Sequence, residues 1–281
     1  RIQKICGHFV PGGIQMLGKL IKFDLKSGVR IFLLLHGILL AVGLAGRLLF
    51  MDHLDFSEMT PALLSSIVLF ASLMLFLLIA VCFCTWLLIA ARFYRSLFTG
   101  EGYLTWTLPA SAVEHLWAKI ISGIMWYVAD CIVVAAVTLI LVTGKNITDA
   151  YSAVAPEVTA ELGMPLSSFG FYMFILMMIS CFSSVITTYF CIAVGQLFPA
   201  HRVLCAIAAY FISGLVVQTV SMGLMFLFRL FPGINLSVRT GEQLAQYLFS
   251  AIGLSIIIMF AVSIAEYIAT HYIMKKKINL L

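Results

Sequence analysis

Charge is what this 281-residue chain has least of: 10% of its residues are Asp, Glu, Lys or Arg, against about 25% in a typical soluble domain. That scarcity excludes an ordinary soluble fold, because too little polar sequence remains to cover the 63% that is apolar. No G-x-x-x-x-G-K-[ST] phosphate loop occurs, so these residues do not hydrolyse ATP by themselves. There is no H-E-x-x-H helix and no G-x-S-x-G elbow. The Ile212-Ser213-Gly214 triplet lacks the partnered histidine an intramembrane serine protease needs. The chain is therefore expected not to be an enzyme, to hold no metal or cofactor, and to bind no nucleic acid. Seven cysteines are scattered, six inside apolar runs and none in an outer loop, which excludes a disulfide framework. Cys82 and Cys84, two apart, point to different faces of a helix and are read as small packing residues. Internal repeats and low-complexity segments are absent.

What the chain does have is long apolar runs. A membrane span needs roughly 20 apolar residues to cross about 30 Å of hydrocarbon. Six runs qualify, at 29–50, 62–91, 116–142, 166–197, 203–228 and 244–271. Each is predicted helical, since a chain in lipid must satisfy its own backbone. The expected fold is all-α: a polytopic membrane protein with one six-span domain over 16–281. Residues 1–15 match no span and are expected to be an extension, with Met16 a candidate natural start.

Lys and Arg set the orientation. With the N-terminus inside, 13 of 17 cations lie on the cytoplasmic side, leaving Arg47, Lys145, Arg229 and Arg239 outside. The acids Asp52, Asp55, Glu58, Asp149, Glu157, Glu161 and Glu242 fall outside. Before the first span, Leu17, Leu20, Ile21 and Leu25 recur at helical spacing, with Lys19, Lys22, Asp24 and Lys26 elsewhere around the wheel. This predicts an amphipathic helix on the inner membrane surface. The outer loop 143–165 is expected to hold one helix near 147–162.

The largest cytoplasmic insertion reads R-F-Y-R-S-L-F-T-G-E-G-Y-L-T-W-T-L-P-A-S-A-V-E-H-L-W over 92–117. Ser111 with Glu114 three residues on is a capping box that starts the third span. Ahead of it the pattern predicts a short helix and a turn that expose Phe98, Tyr103, Leu104 and Trp106, either to a protein partner or to lipid headgroups. The run F-Y-R-S-L-F-T-G-E-G-Y-L-T-W-T-L-P-A-S followed by Lys119, with M-L-G-K-L-I-K-F-D-L-K at 16–26, resembles the membrane subunit of ABC-2 type transporters. The resemblance covers the layout of nearly the whole chain, but its sharp motif is confined to about 35 residues. It implies a permease, an exporter in the bacterial cytoplasmic membrane, whose amphipathic N-terminal segment is an elbow helix. It further implies a separate cytoplasmic ATPase subunit carrying ATP and Mg, and a second membrane subunit, identical or paralogous. Phe98, Glu101, Gly102, Tyr103 and Pro109 then belong to the ATPase-coupling segment.

A charge near mid-bilayer costs at least ~2.5 kcal/mol on insertion scales. Asp130 in the third span is the clear case, with His36 and Gln218 as candidate partners. It either lines a polar path or holds the bundle. Ser180, Ser184, Thr187, Thr188 and Cys191 lie mostly on one face of the fourth span. They line a path, or bond back to their own helix and neighbours. Glu266 and His271, toward the inner end of the last span, are read as structural. Small-residue stripes at Gly37, Ala41 and Ala45 and at Ala209, Ser213 and Ser221 let helices approach closely. By the resemblance, the first and fifth spans form a dimer seam; packing inside one subunit is the alternative. The rival functional expectation is an ATP-independent six-span secondary carrier or a membrane scaffold. A carrier usually shows internal repeats and several intramembrane charges.

Overall fold

The computed structural model describes residues 13–49, 60–143, 145–230 and 241–276. The acids Asp52, Asp55 and Glu58, most of the 1–15 extension, Arg239 and Lys277 lie outside them. The described residues form eight helices: α1 (Gly13–Leu49), α2 (Pro61–Phe98), α3 (Gly100–Thr107), α4 (Ala112–Val142), α5 (Lys145–Leu162), α6 (Leu166–Gly195), α7 (Arg202–Leu227) and α8 (Gly241–Lys276). Six of them, α1, α2, α4, α6, α7 and α8, are long and apolar enough to cross a membrane. The protein is an all-α, multi-pass membrane protein.

Local signals set several boundaries. Thr60 caps α2, accepting from the Leu63 amide at 3.3 Å, with Pro61 pre-set for the first turn. Ser111 and Glu114 close the expected capping box at 3.2 and 2.6 Å. Helix α5 fills the loop between α4 and α6 where a helix was expected, and Gly163 (φ 67°) ends it in the left-handed conformation that glycine adopts without strain.

Two helices outrun their apolar stretches. Helix α2 has 38 residues, roughly 57 Å at about 1.5 Å per residue, so its last two turns, Arg92–Phe98, pass beyond the hydrocarbon. The amphipathic segment 17–26 is helical, but it is no separate elbow: α1 runs unbroken through it for 37 residues. The reason is a tether. Asp24, 7% exposed, points inward and takes an ion pair from Lys119 of α4 at 2.5 Å. Arg92 of α2 donates to the Asp24 carbonyl and to Ser27. A segment held on α2 and α4 cannot turn away along the membrane surface.

Helix α1 lies along α4, with α2 against both; α6 packs on α7 and α8. The larger core sits at the α3 end of this bundle. It is aromatic: Phe32 stacks on Trp126 at 3.7 Å and Phe93 on Tyr189 at 3.8 Å, around Ile89, Leu97, Leu116, Ile120 and Val185. A smaller cluster of Leu39, Met74, Val81 and Val137 joins α1, α2 and α4 nearer mid-membrane. Outward faces carry Leu69, Phe76, Phe211 and Phe226, each at least 70% exposed, the surface that lipid solvates.

Lys119 and Asp24 are both buried, so removing one strands the other. Asp24→Asn is expected to cost about 3–5 kcal/mol of stability. Adding Lys119→Met should recover part of it. Thermal unfolding midpoints of the three proteins in one detergent check this.

Candidate functional site

Helix α3 is built from a chain break and a close approach. Thr99 is extended (φ −114°, ψ −171°), so the chain reverses between α2 and α3. Gly102 then lies directly on the end of α2: a Cβ there would stand 2.7 Å from the Leu97 carbonyl carbon and oxygen. Only glycine allows that approach. Trp106 reaches back, its indole N–H donating to the Leu97 carbonyl at 3.1 Å while its ring meets His115 of α4. Arg95 and Glu101 pair at 2.8 Å across the turn, both largely exposed, which adds little stability.

The coupling segment expected from the sequence is therefore divided. Phe98 is 5% exposed, packed edge-on against Phe93, and Trp106 is half-buried; neither is presented outward as expected. Their apolar surface is more favourably spent in the aromatic core directly beneath. Tyr103 (67% exposed) and Leu104 (70%) do face outward, and Glu101 and Pro109 are exposed beside them. The result is a small apolar knuckle clamped between α2 and α4.

Deeper in the bundle, Asp130 is 3% exposed. His36 of α1 donates to its Oδ1 at 2.5 Å and Thr85 of α2 at 3.0 Å. Its Oδ2 is buried without a partner. Of the two expected partners, His36 is found and Gln218 is not: Gln218 sits on the exposed face of α7. A second acid, Glu266 of α8, is equally buried at 5%. Thr187 of α6 donates to it at 2.6 Å and Ser213 of α7 at 3.0 Å. Glu266 does not snorkel; it turns inward and ties three helices. The polar face of α6 is likewise engaged: Ser180 donates to the Leu176 carbonyl, Ser184 meets Tyr127 of α4 at 3.3 Å, and Thr188 accepts from Trp86 of α2 at 2.9 Å. Ser184 and Thr188 thus tie α6 to α4 and α2, while Ser180 bonds back to its own helix. Among the described residues no three His, Cys, Asp or Glu side chains converge on a metal-sized site. A cavity of about 20 Å³ between Asp24, Arg92, Lys119, Ser122 and Tyr189 is the size of one water.

The two small-residue stripes do not match each other. Gly37, Ala41 and Ala45 are exposed on α1, and nothing lies within 4 Å of a Cβ built at Gly37. Ala209 and Ser213 lie instead on the half-buried side of α7, with Ser213 bonded to Glu266. On α7 the hydroxyl of Ser213 is engaged within its own chain by the buried Glu266 carboxylate. The Asp24–Lys119 pair and the inward turn of Glu266 were not anticipated. One hint existed: Asp24 is a single acid in a flank of cations, a position that asks for a partner.

Comparison with protein-family models, curated proteins and solved structures finds no match to this chain.

Two outcomes follow from this geometry. Gly102→Ala should push α3 off α2 at a cost of about 1–3 kcal/mol, seen as faster amide exchange over residues 97–107. His36→Leu leaves Asp130 with a single donor; a loss of about 3 kcal/mol is expected, largely recovered by adding Asp130→Leu. Denaturation of both variants in detergent checks it.

Proposed function

We propose that this chain is the permease subunit of an ABC-2 type transporter, an exporter of the cytoplasmic membrane that works with a separate ATPase. One observation carries the reading. A short helix exposes Tyr103 and Leu104 at the end of the bundle where Lys and Arg concentrate, and it is held on α2 and α4 by Gly102, Trp106 and the capping box. A knuckle that docks a partner must be rigid to transmit force; these contacts make it so. The excess of Lys and Arg at that end supports a cytoplasmic position, where an ATPase would meet it. Closure of two ATPase subunits on ATP would then move α3 with the ends of α2 and α4 as one piece. Such a movement tilts the spans between inner- and outer-open states. The second membrane subunit would meet this one along the exposed stripe of α1 at Gly37, Ala41 and Ala45.

An ion-coupled carrier is the second reading. It is favoured by two buried acids inside spans, Asp130 and Glu266, which are the usual marks of ion pathways.

Affinity purification from the native host in mild detergent separates the two. A phosphate-loop ATPase is expected to accompany the wild type and to be lost from the Tyr103→Ala, Leu104→Asp double variant, whose thermal midpoint should stay unchanged. If no ATPase accompanies an intact, monodisperse chain, the permease reading fails. Ion-driven uptake into vesicles, abolished by Glu266→Gln, would then establish the carrier.

A further inference from the structure

We propose that Cys131 and Cys181 form a thiol pair in the membrane interior that oxidises reversibly to a disulfide and so locks α4 to α6. Their sulfurs lie 3.7 Å apart on facing helices. A disulfide brings sulfurs to about 2.05 Å, so the two have about 1.65 Å left to close. Both thiols are free, Cys131 buried at 7% and Cys181 half-buried. Cys82, exposed on α2, is the competing partner to be tested.

Position selects the oxidant. Cys181 is 14 residues from one end of α6 and 15 from the other, about 21–23 Å of helix in each direction. The pair is thus central in the apolar region, remote from water-soluble thiols and disulfides. A lipid-soluble quinone can reach it. In the balanced step both S–H bonds break and one S–S bond forms. Two electrons and two protons pass to the quinone, whose two carbonyl oxygens become the hydroxyls of a quinol. Reduction by a lipid-soluble dithiol reverses it: the two protein thiols re-form and the dithiol leaves as its own disulfide.

The link would change what these helices can do relative to each other. Tyr127–Ser184 and the Tyr189 hydroxyl on the Lys119 carbonyl are adjustable hydrogen bonds between α4 and α6; a covalent bond is not. Helix α4 begins beside the α3 knuckle, and α6 holds Glu266 through Thr187. The consequence for transport rests on the proposed function, but the link itself does not.

The test uses the full chain in lipid nanodiscs, treated with decylubiquinone and, in parallel, with molecular iodine. The first is fully substituted and adds poorly to thiols; the second partitions into hydrocarbon. The chain is then denatured, labelled with maleimide and weighed, and its peptides are mapped. Oxidation is expected to leave two fewer labels on the seven cysteines, with a peptide joining 131 to 181 that a phosphine removes. Cys82→Ser should retain the link, and Cys131→Ser and Cys181→Ser should each lose it. A link that disappears with Cys82→Ser, or no 131–181 peptide with either oxidant, overturns the proposal. A 131–181 link with no change in transport would keep the link between α4 and α6 and overturn only its consequence for transport.

Discussion

A buried ion pair between Asp24 and Lys119, with Arg92 closing over the same backbone, is the constraint on which the α3 end of this protein depends. Three separate helices contribute to it. It draws the start of α1 against α4, brings the last turns of α2 alongside, and covers the aromatic core of Phe32, Phe93, Trp126 and Tyr189. Such a pair is weak evidence for stability, since desolvating two charges offsets most of their attraction. Its value is in register. An unpaired Lys119 at that depth is costly, so α1 and α4 have one alignment in which both charges are satisfied.

Register at that end matters because of what stands on it. The α3 knuckle has little core of its own. It is positioned by Gly102 on the Leu97 carbonyl, by Trp106 against His115, and by the cap that starts α4. Each anchor belongs to α2 or α4, the helices that Arg92 and Lys119 align. A force applied at Tyr103 and Leu104 therefore enters the bundle through a fixed joint. The opposite half of the molecule is held differently. Helix α7 has no buried residue, and its polar tie to α8 is Ser213 on Glu266. That makes α7 the long helix with the least apolar contact to its own chain. Its outward face of Val203, Ile207, Phe211 and Leu215 is left for lipid or a neighbouring subunit.

The buried acids show why position in sequence is a poor guide to environment in a membrane. Asp130 and Glu266 are alike in burial and in having hydroxyl donors, yet only Asp130 has a basic partner, His36. Asp130 lies mid-span and was recognisable as costly. Glu266 lies close enough to the end of α8 that a snorkelling side chain was the economical reading. The structure turns it inward because Thr187 and Ser213 offer two donors on adjacent helices, and two hydrogen bonds outweigh the reach to water.

By itself the sequence determined the six spans, the helix between the third and fourth of them and the capping box at Ser111, and it narrowed the partner of Asp130 to His36 or Gln218. It could do so because these follow from hydropathy, from spacing within a turn, or from the scarcity of charge in lipid: with so few polar groups inside, each has few possible partners. Only the tertiary structure decided that α1 continues straight through its amphipathic segment, that Phe98 and Trp106 are withdrawn from the surface while Tyr103 and Leu104 remain, and that Ala209 and Ser213 face their own chain. It also brought Cys131 to Cys181. These outcomes share one physical reason. Each depends on the rotation of one helix against another, and in an apolar sequence almost every helix face is greasy. The hydrophobic pattern that fixes rotation in a soluble bundle is missing, and a few buried polar contacts, invisible until the helices are assembled, fix it instead.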